Sequence, residues 1–93
     1  MEKLRLYYNI LGTEIYYKEV SSPEEAKNII DAIADFLLFA VDNDIFPDHC
    51  SSAGLEYFDE EENDWYEWYD DYGYDFDEHF ANLEKEAYNE NNN

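Results

Sequence analysis

Ser22-Pro23-Glu24-Glu25-Ala26-Lys27-Asn28-Ile29-Ile30-Asp31-Ala32-Ile33-Ala34-Asp35-Phe36-Leu37-Leu38-Phe39-Ala40-Val41-Asp42 is the stretch that decides the fold. Ser22 suits an N-cap, Pro23 the first helical position, and Glu25 completes a capping box three residues on. Ala26, Ile29, Ile30, Ile33, Leu37, Ala40 and Val41 then recur at three- and four-residue spacing, the pattern of a helix with one buried face. The helix should end near Asp42-Asn43-Asp44, ahead of Pro47. Phe36, Leu38 and Phe39 fall off this stripe. The preferred reading places them under a later segment of the chain, and the alternative is a self-association face that would make a homodimer.

Upstream, Leu4, Leu6, Tyr8 and Ile10 alternate, Gly12 follows, and Glu14 to Val20 is again strand-like, so the two runs read as a hairpin. Downstream, Ile45 to Gly54 reads as a connecting loop. Leu55–Phe58 and Trp65–Tyr69, on either side of Glu60-Glu61-Glu62-Asn63, read as a second hairpin because both are rich in aromatics that favour strands. Tyr72-Gly73-Tyr74 is a turn. From about Asp77 a short helix follows, with Phe80, Leu83 and Ala87 on one face, and Phe76 just ahead of it continues that face. The order is ββαββα, a small α+β domain of antiparallel hairpins packed on one main amphipathic helix. Its expected span is 1–88, with a disordered polar tail at 89–93.

The chain has 93 residues, room for one small domain. One cysteine, Cys50, excludes an intramolecular disulfide. No basic-plus-apolar leader opens the sequence, and the longest apolar stretch, Ile29 to Val41, carries Asp31 and Asp35 and is too short to span a bilayer. A cytoplasmic protein is expected, with no membrane contact.

Charge is the dominant signal. Twenty-five acids face five bases, a net charge of −20, and no Lys or Arg occurs between Asn28 and Glu84. Self-repulsion of this size opposes compaction. Direct binding to nucleic acid is disfavoured, because cations supply that attraction. Acidic chains poor in aromatics stay unfolded, but here aromatics are 19% of the residues, enough large rings to build a core.

No catalytic constellation emerges. The glycines, Gly12, Gly54 and Gly73, form no nucleotide-binding pattern. His49 and Cys50 are adjacent, but a half-buried cysteine and two exposed histidines, His49 and His79, are the expected state. The residues lack paired-ligand spacing for zinc. Asp59, Glu61, Asn63 and Asp70 occupy the first, third, fifth and twelfth places of a calcium-loop frame, but Asp64 stands where the turn requires glycine. Neither a cofactor nor a metal is expected, and the protein is read as no enzyme.

From Glu56 to Glu78, twelve acids interleave with nine aromatics and almost nothing else. Asp31, Asp35 and Asp42 add a second acidic set on the helix. Duplex phosphates along a strand lie about 7 Å apart. Helical carboxylates at i and i+4 are about 6 Å apart at Cβ, and strand residues at i and i+2 are about 6.6 Å apart. A folded acidic surface can therefore repeat phosphate spacing, and Arg forks bind carboxylate much as they bind phosphate.

The run Glu60-Glu61-Glu62-Asn63-Asp64-Trp65-Tyr66-Glu67-Trp68-Tyr69-Asp70-Asp71, in so short and acidic a chain, resembles the small proteins that phages and mobile elements use against host defence. Those include anti-restriction and anti-CRISPR proteins and other DNA mimics. The resemblance is one of style rather than of a motif and covers mainly Asp31 to Glu78. It implies an inhibitor that occupies the basic nucleic-acid-binding surface of a nuclease effector or another DNA- or RNA-binding protein, in the bacterial host cytoplasm. The residues expected at that contact are Asp31, Asp35, Asp42, Asp59, Glu60, Glu61, Glu62, Asp64, Trp65, Glu67, Trp68, Asp70 and Asp71. Trp65 and Trp68 either hold the hairpin or stack at the interface. The alternative function is an acidic adaptor or assembly protein with a basic partner unrelated to DNA.

Overall fold

A computed structural model describes residues 2–10, 14–45 and 51–91, with side chains described as far as residue 86. The elements are β1 (Leu4–Ile10), β2 (Tyr16–Val20), α1 (Pro23–Asp42), β3 (Ser51–Asp59), β4 (Asp64–Glu67) and α2 (Phe76–Asn91). This is the ββαββα order predicted from sequence. The strands form one antiparallel sheet in the order β2-β1-β3-β4.

β1 is central because its two faces do different work. Leu4, Leu6 and Tyr8 point to the helices and are buried. Leu6 sits opposite Leu55 in the β1–β3 register, and both are fully buried. Burial of two such side chains contributes about 1.5–3 kcal/mol each. Around them Leu4, Val20, Ala26, Trp68 and Phe76 complete the core, with Ile29, Ile30, Tyr57 and Phe80 packed against it.

α1 begins as its sequence dictates. Ser22 Oγ accepts from the Glu25 N–H at 3.1 Å, and Pro23 stands at the start. Glu25 reaches one residue further back than a capping box requires, to the N–H and hydroxyl of Ser21, because Ser21 offers two donors where the Ser22 backbone offers one. At the other end Asp44 takes φ 59°, its N–H bonding Val41 O, while the Ile45 N–H bonds Ala40 O. That is a Schellman closure with aspartate where glycine is usual.

Several expectations need correction. Ser51–Gly54 is not loop but the first half of β3, because it pairs with Tyr7 to Ile10 along β1. Phe36, Leu38 and Phe39 are not covered by any described later segment and stand exposed. α2 runs through Asn89 to Asn91, residues assigned from sequence to the polar tail. Asn92 and Asn93 lie outside the described residues, as do Gly12, Pro47 and the His49-Cys50 pair. Among the described residues no helix is long and apolar enough to cross a membrane.

Candidate functional site

The β3–β4 hairpin carries the densest acidity. Asp59 pairs opposite Asp64, and Glu56 opposite Glu67. Like charges directly opposite are destabilising, so each pair needs compensation. Glu56 accepts from Arg5 Nε at 2.8 Å. Glu67 accepts from the Tyr7 hydroxyl at 3.2 Å. Asp59 Oδ1 accepts from the N–H groups of Glu61 and Glu62, and Asp64 Oδ1 from the Trp65 N–H. Asn63 closes the turn at φ 55°, a left-handed conformation that asparagine tolerates.

Lys3, Arg5 and Lys27 serve the fold locally. The Arg5 guanidinium lies between the rings of Tyr17, 3.8 Å from its centroid, and Trp65, 4.2 Å away. Lys3 bridges to Glu19 and lies over Phe58 and Trp65. Lys27 holds Asp31 at 3.0 Å. Among the described residues, no base forms an ion pair with Glu60, Glu61, Glu62 or Asp64, all of them exposed.

The expected contact residues thus separate into two groups. Trp68 is buried in the core, edge-on to His79 at 5.3 Å. Trp65 is half-buried, with one ring face against Arg5 and an edge-on contact with Phe58 at 5.2 Å. Both tryptophans hold the hairpin. Asp70 is also structural. Its side chain is 10% exposed, its Oδ2 meets His79 Nδ1 at 2.8 Å, and its Oδ1 accepts from the Tyr72 and Tyr74 N–H groups. His79 is therefore half-buried rather than exposed as the sequence suggested. Desolvation opposes the ionised Asp70, but the His79 hydrogen bond and the Tyr74 and Tyr72 N–H groups together outweigh it and hold its pKa below the ordinary value. Burial pushes Glu67 the other way, above the usual carboxylate range, helped by Glu56, Asp75 and Asp77 and opposed by Tyr7.

What remains outward is Glu60, Glu61, Glu62, Asp64 and Asp71 on the hairpin side, and Asp31, Asp35 and Asp42 on α1. Two features had no clear sequence signal. One is the Tyr7–Glu67 contact over Gly54, whose sole hint is a glycine inside a strand. The other is a concave pocket of about 570 Å³ between the Asp70–Tyr74 turn and α2, with Asp71, Tyr72, Tyr74, Leu83 and Glu86 in its wall.

Residues 3–89 match the family model described as superinfection exclusion gene product 17. The chain belongs to this family. The superinfection exclusion protein of Salmonella phage P22 is 40% identical to it over 62 residues, a match covering 55% of this chain and 60% of that protein. The chain thus spans about 60% of the length of that relative. No solved structure matches. Membership of a superinfection exclusion family agrees with the phage, defence-related setting that the resemblance implied, and it does not extend to a DNA-mimic mechanism.

Proposed function

We propose that this superinfection exclusion family member is a non-enzymatic inhibitor. It presents Glu60, Glu61, Glu62, Asp64 and Asp71, with Asp35 and Asp42 of α1, to the basic nucleic-acid-binding surface of a partner protein. The partner is a nuclease effector or another DNA- or RNA-binding protein of the infected cell, met in the bacterial cytoplasm. Inhibition is stoichiometric occupancy with no turnover. The observation that carries the reading is the β3–β4 turn: an exposed carboxylate row, its turn closed by Asp59 and Asn63, with which no base among the described residues forms an ion pair. Asp59, Glu67, Asp70, Trp65 and Trp68 position that row rather than touch the partner. Asp31 is partly neutralised by Lys27 and contributes less than Asp35.

The test is competition on a purified partner with labelled DNA. Displacement of DNA by this chain supports the mimic. Simultaneous binding of both rejects it in favour of an acidic adaptor whose basic partner has nothing to do with DNA.

A further inference from the structure

α1 exposes a second kind of surface. At 100° per residue, Asp31, Asp35 and Asp42 form one stripe opposite the buried face that contains Ala26 and Ala40. Leu38 lies on one flank of the stripe, Phe39 and Phe36 on the other. Leu38 and Phe36 are each 63% exposed and Phe39 is 56% exposed, with Ile45 at 69% just past the helix end. The Phe36 and Phe39 rings sit 6.4 Å apart. Leu38 and Phe39 stand one turn from both Asp35 and Asp42, so apolar anchors and carboxylates share one face. Grouped exposed apolar side chains on a helix mark a contact surface.

Charge complementarity selects the occupant. A second copy would bring Asp35, Asp42 and Asp44 against themselves under a net charge of −20. Anionic lipid and nucleic acid are repelled for the same reason. A phosphate-binding channel supplies cations but no counterpart for Phe and Leu. We propose that the exposed face of α1, Leu38 and Phe39 beside Asp35 and Asp42, docks a cationic amphipathic helix of a partner protein. Such a helix offers apolar side chains at i, i+3, i+4 and i+7 with Lys or Arg between them. Asp35 and Asp42 also belong to the acidic surface proposed above, but Leu38 and Phe39 do not, and the inference does not depend on DNA mimicry.

The test uses the full chain and three labelled probes: an amphipathic Leu/Lys peptide of about 14 residues, a scrambled peptide of identical composition, and oligolysine of equal charge. Anisotropy should show the amphipathic peptide binding at least about tenfold tighter than the scrambled one. Leu38→Ser with Phe39→Ser should remove that preference while oligolysine binding is unchanged, because partial burial of two large side chains is worth at least about a factor of ten. Asp35→Asn with Asp42→Asn should weaken both. Equal binding of the two Leu/Lys peptides to the unaltered chain overturns the proposal without any variant. So does sedimentation showing a dimer that the serine pair dissolves, or binding to phosphatidylcholine or phosphatidylglycerol vesicles that the serine pair abolishes. Neutralising Glu60, Glu61, Glu62 and Asp64 should leave the peptide preference in place, so failure of the mimic reading is distinguishable from failure of this one.

Discussion

The Tyr7 hydroxyl donates to the Glu67 carboxylate, 3.2 and 3.3 Å from its two oxygens, and to reach it the ring crosses β3 directly over Gly54. Tyr7 lies on β1 and Glu67 on β4, the two neighbours of β3, so one side chain ties three strands across the sheet face that the helices leave open. A Cβ at Gly54 would collide with the Tyr7 ring and hydroxyl.

Gly54→Ala should therefore displace Tyr7 and cost about 1–3 kcal/mol. Tyr7→Ala should remove most of that penalty, so the two changes should be non-additive in a double-mutant cycle read by urea unfolding. Additive effects would place the Tyr7 ring elsewhere.

The same contact governs pH dependence. Glu67 has a raised folded-state pKa, chiefly through burial. The folded chain therefore holds that proton more tightly, and this contribution is complete below the ordinary value and is lost as pH rises through the folded one. Asp70 and Glu25 are lowered, Glu25 mainly by the Ser21 hydroxyl and N–H, so their contribution is present above the ordinary value and is lost as pH falls through the folded one. Tyr7 is pushed up to about 12 by burial and by Glu67, so its contribution holds below pH 10 and disappears between there and about 12. Urea unfolding across pH should show Glu67→Gln flattening the gain on mild acidification and Tyr7→Phe flattening the loss at high pH. Unchanged profiles in both variants would mean the pair is open to water.

The Asp70–His79 contact joins the Tyr72–Tyr74 turn to α2. Asp70→Ala should lower Tm and speed amide exchange at Tyr72 and Tyr74. Asp70→Asn should do less, since an amide oxygen still accepts from both N–H groups. Equal effects from the two variants would put the weight on the charge of Asp70 rather than on the turn.

How much of this was legible in the sequence follows from which interactions are local. α1 was readable to its ends because capping and 3.6-residue periodicity are written in neighbouring residues: Pro23 to Asp42 is helical with Ser22 as its cap. The hairpins were readable from the alternation of Leu4, Leu6, Tyr8 and Ile10 and from the aromatic richness of the second pair, although β4 ends at Glu67 rather than at Tyr69. Ser51–Gly54 was misread because Ser, Ala and Gly carry no strand propensity, and that half of β3 exists through pairing with β1. The roles of Trp65 and Trp68 depended on partners distant in sequence, Arg5 and the core around Leu55, so spacing alone left them open. The carboxylates needed the fold for the same reason. Glu60 and Asp70 are both acids in one run, but one is exposed in a turn and the other is bonded to His79.

The β3–β4 acids should act on a basic partner as a group. One exposed ion pair is worth about 0.2–1 kcal/mol, so neutralising Glu61 alone should change Kd by less than about tenfold. Changing Glu60, Glu61, Glu62 and Asp64 together to Gln or Asn should weaken binding by about two to three orders of magnitude and slow association, since steering is lost with the field. Thermal stability should not fall for Glu60, Glu61 and Glu62, whose side chains stand exposed and hold nothing in the hairpin. Binding of the unaltered chain should weaken steeply with added salt, though less steeply than DNA binding, because a protein carries no condensed counterion layer to release. The measurement is titration of a purified basic partner with each variant and with the unaltered chain. If the four-fold variant stays folded and binds that partner as tightly as the unaltered chain, the turn is not the working surface.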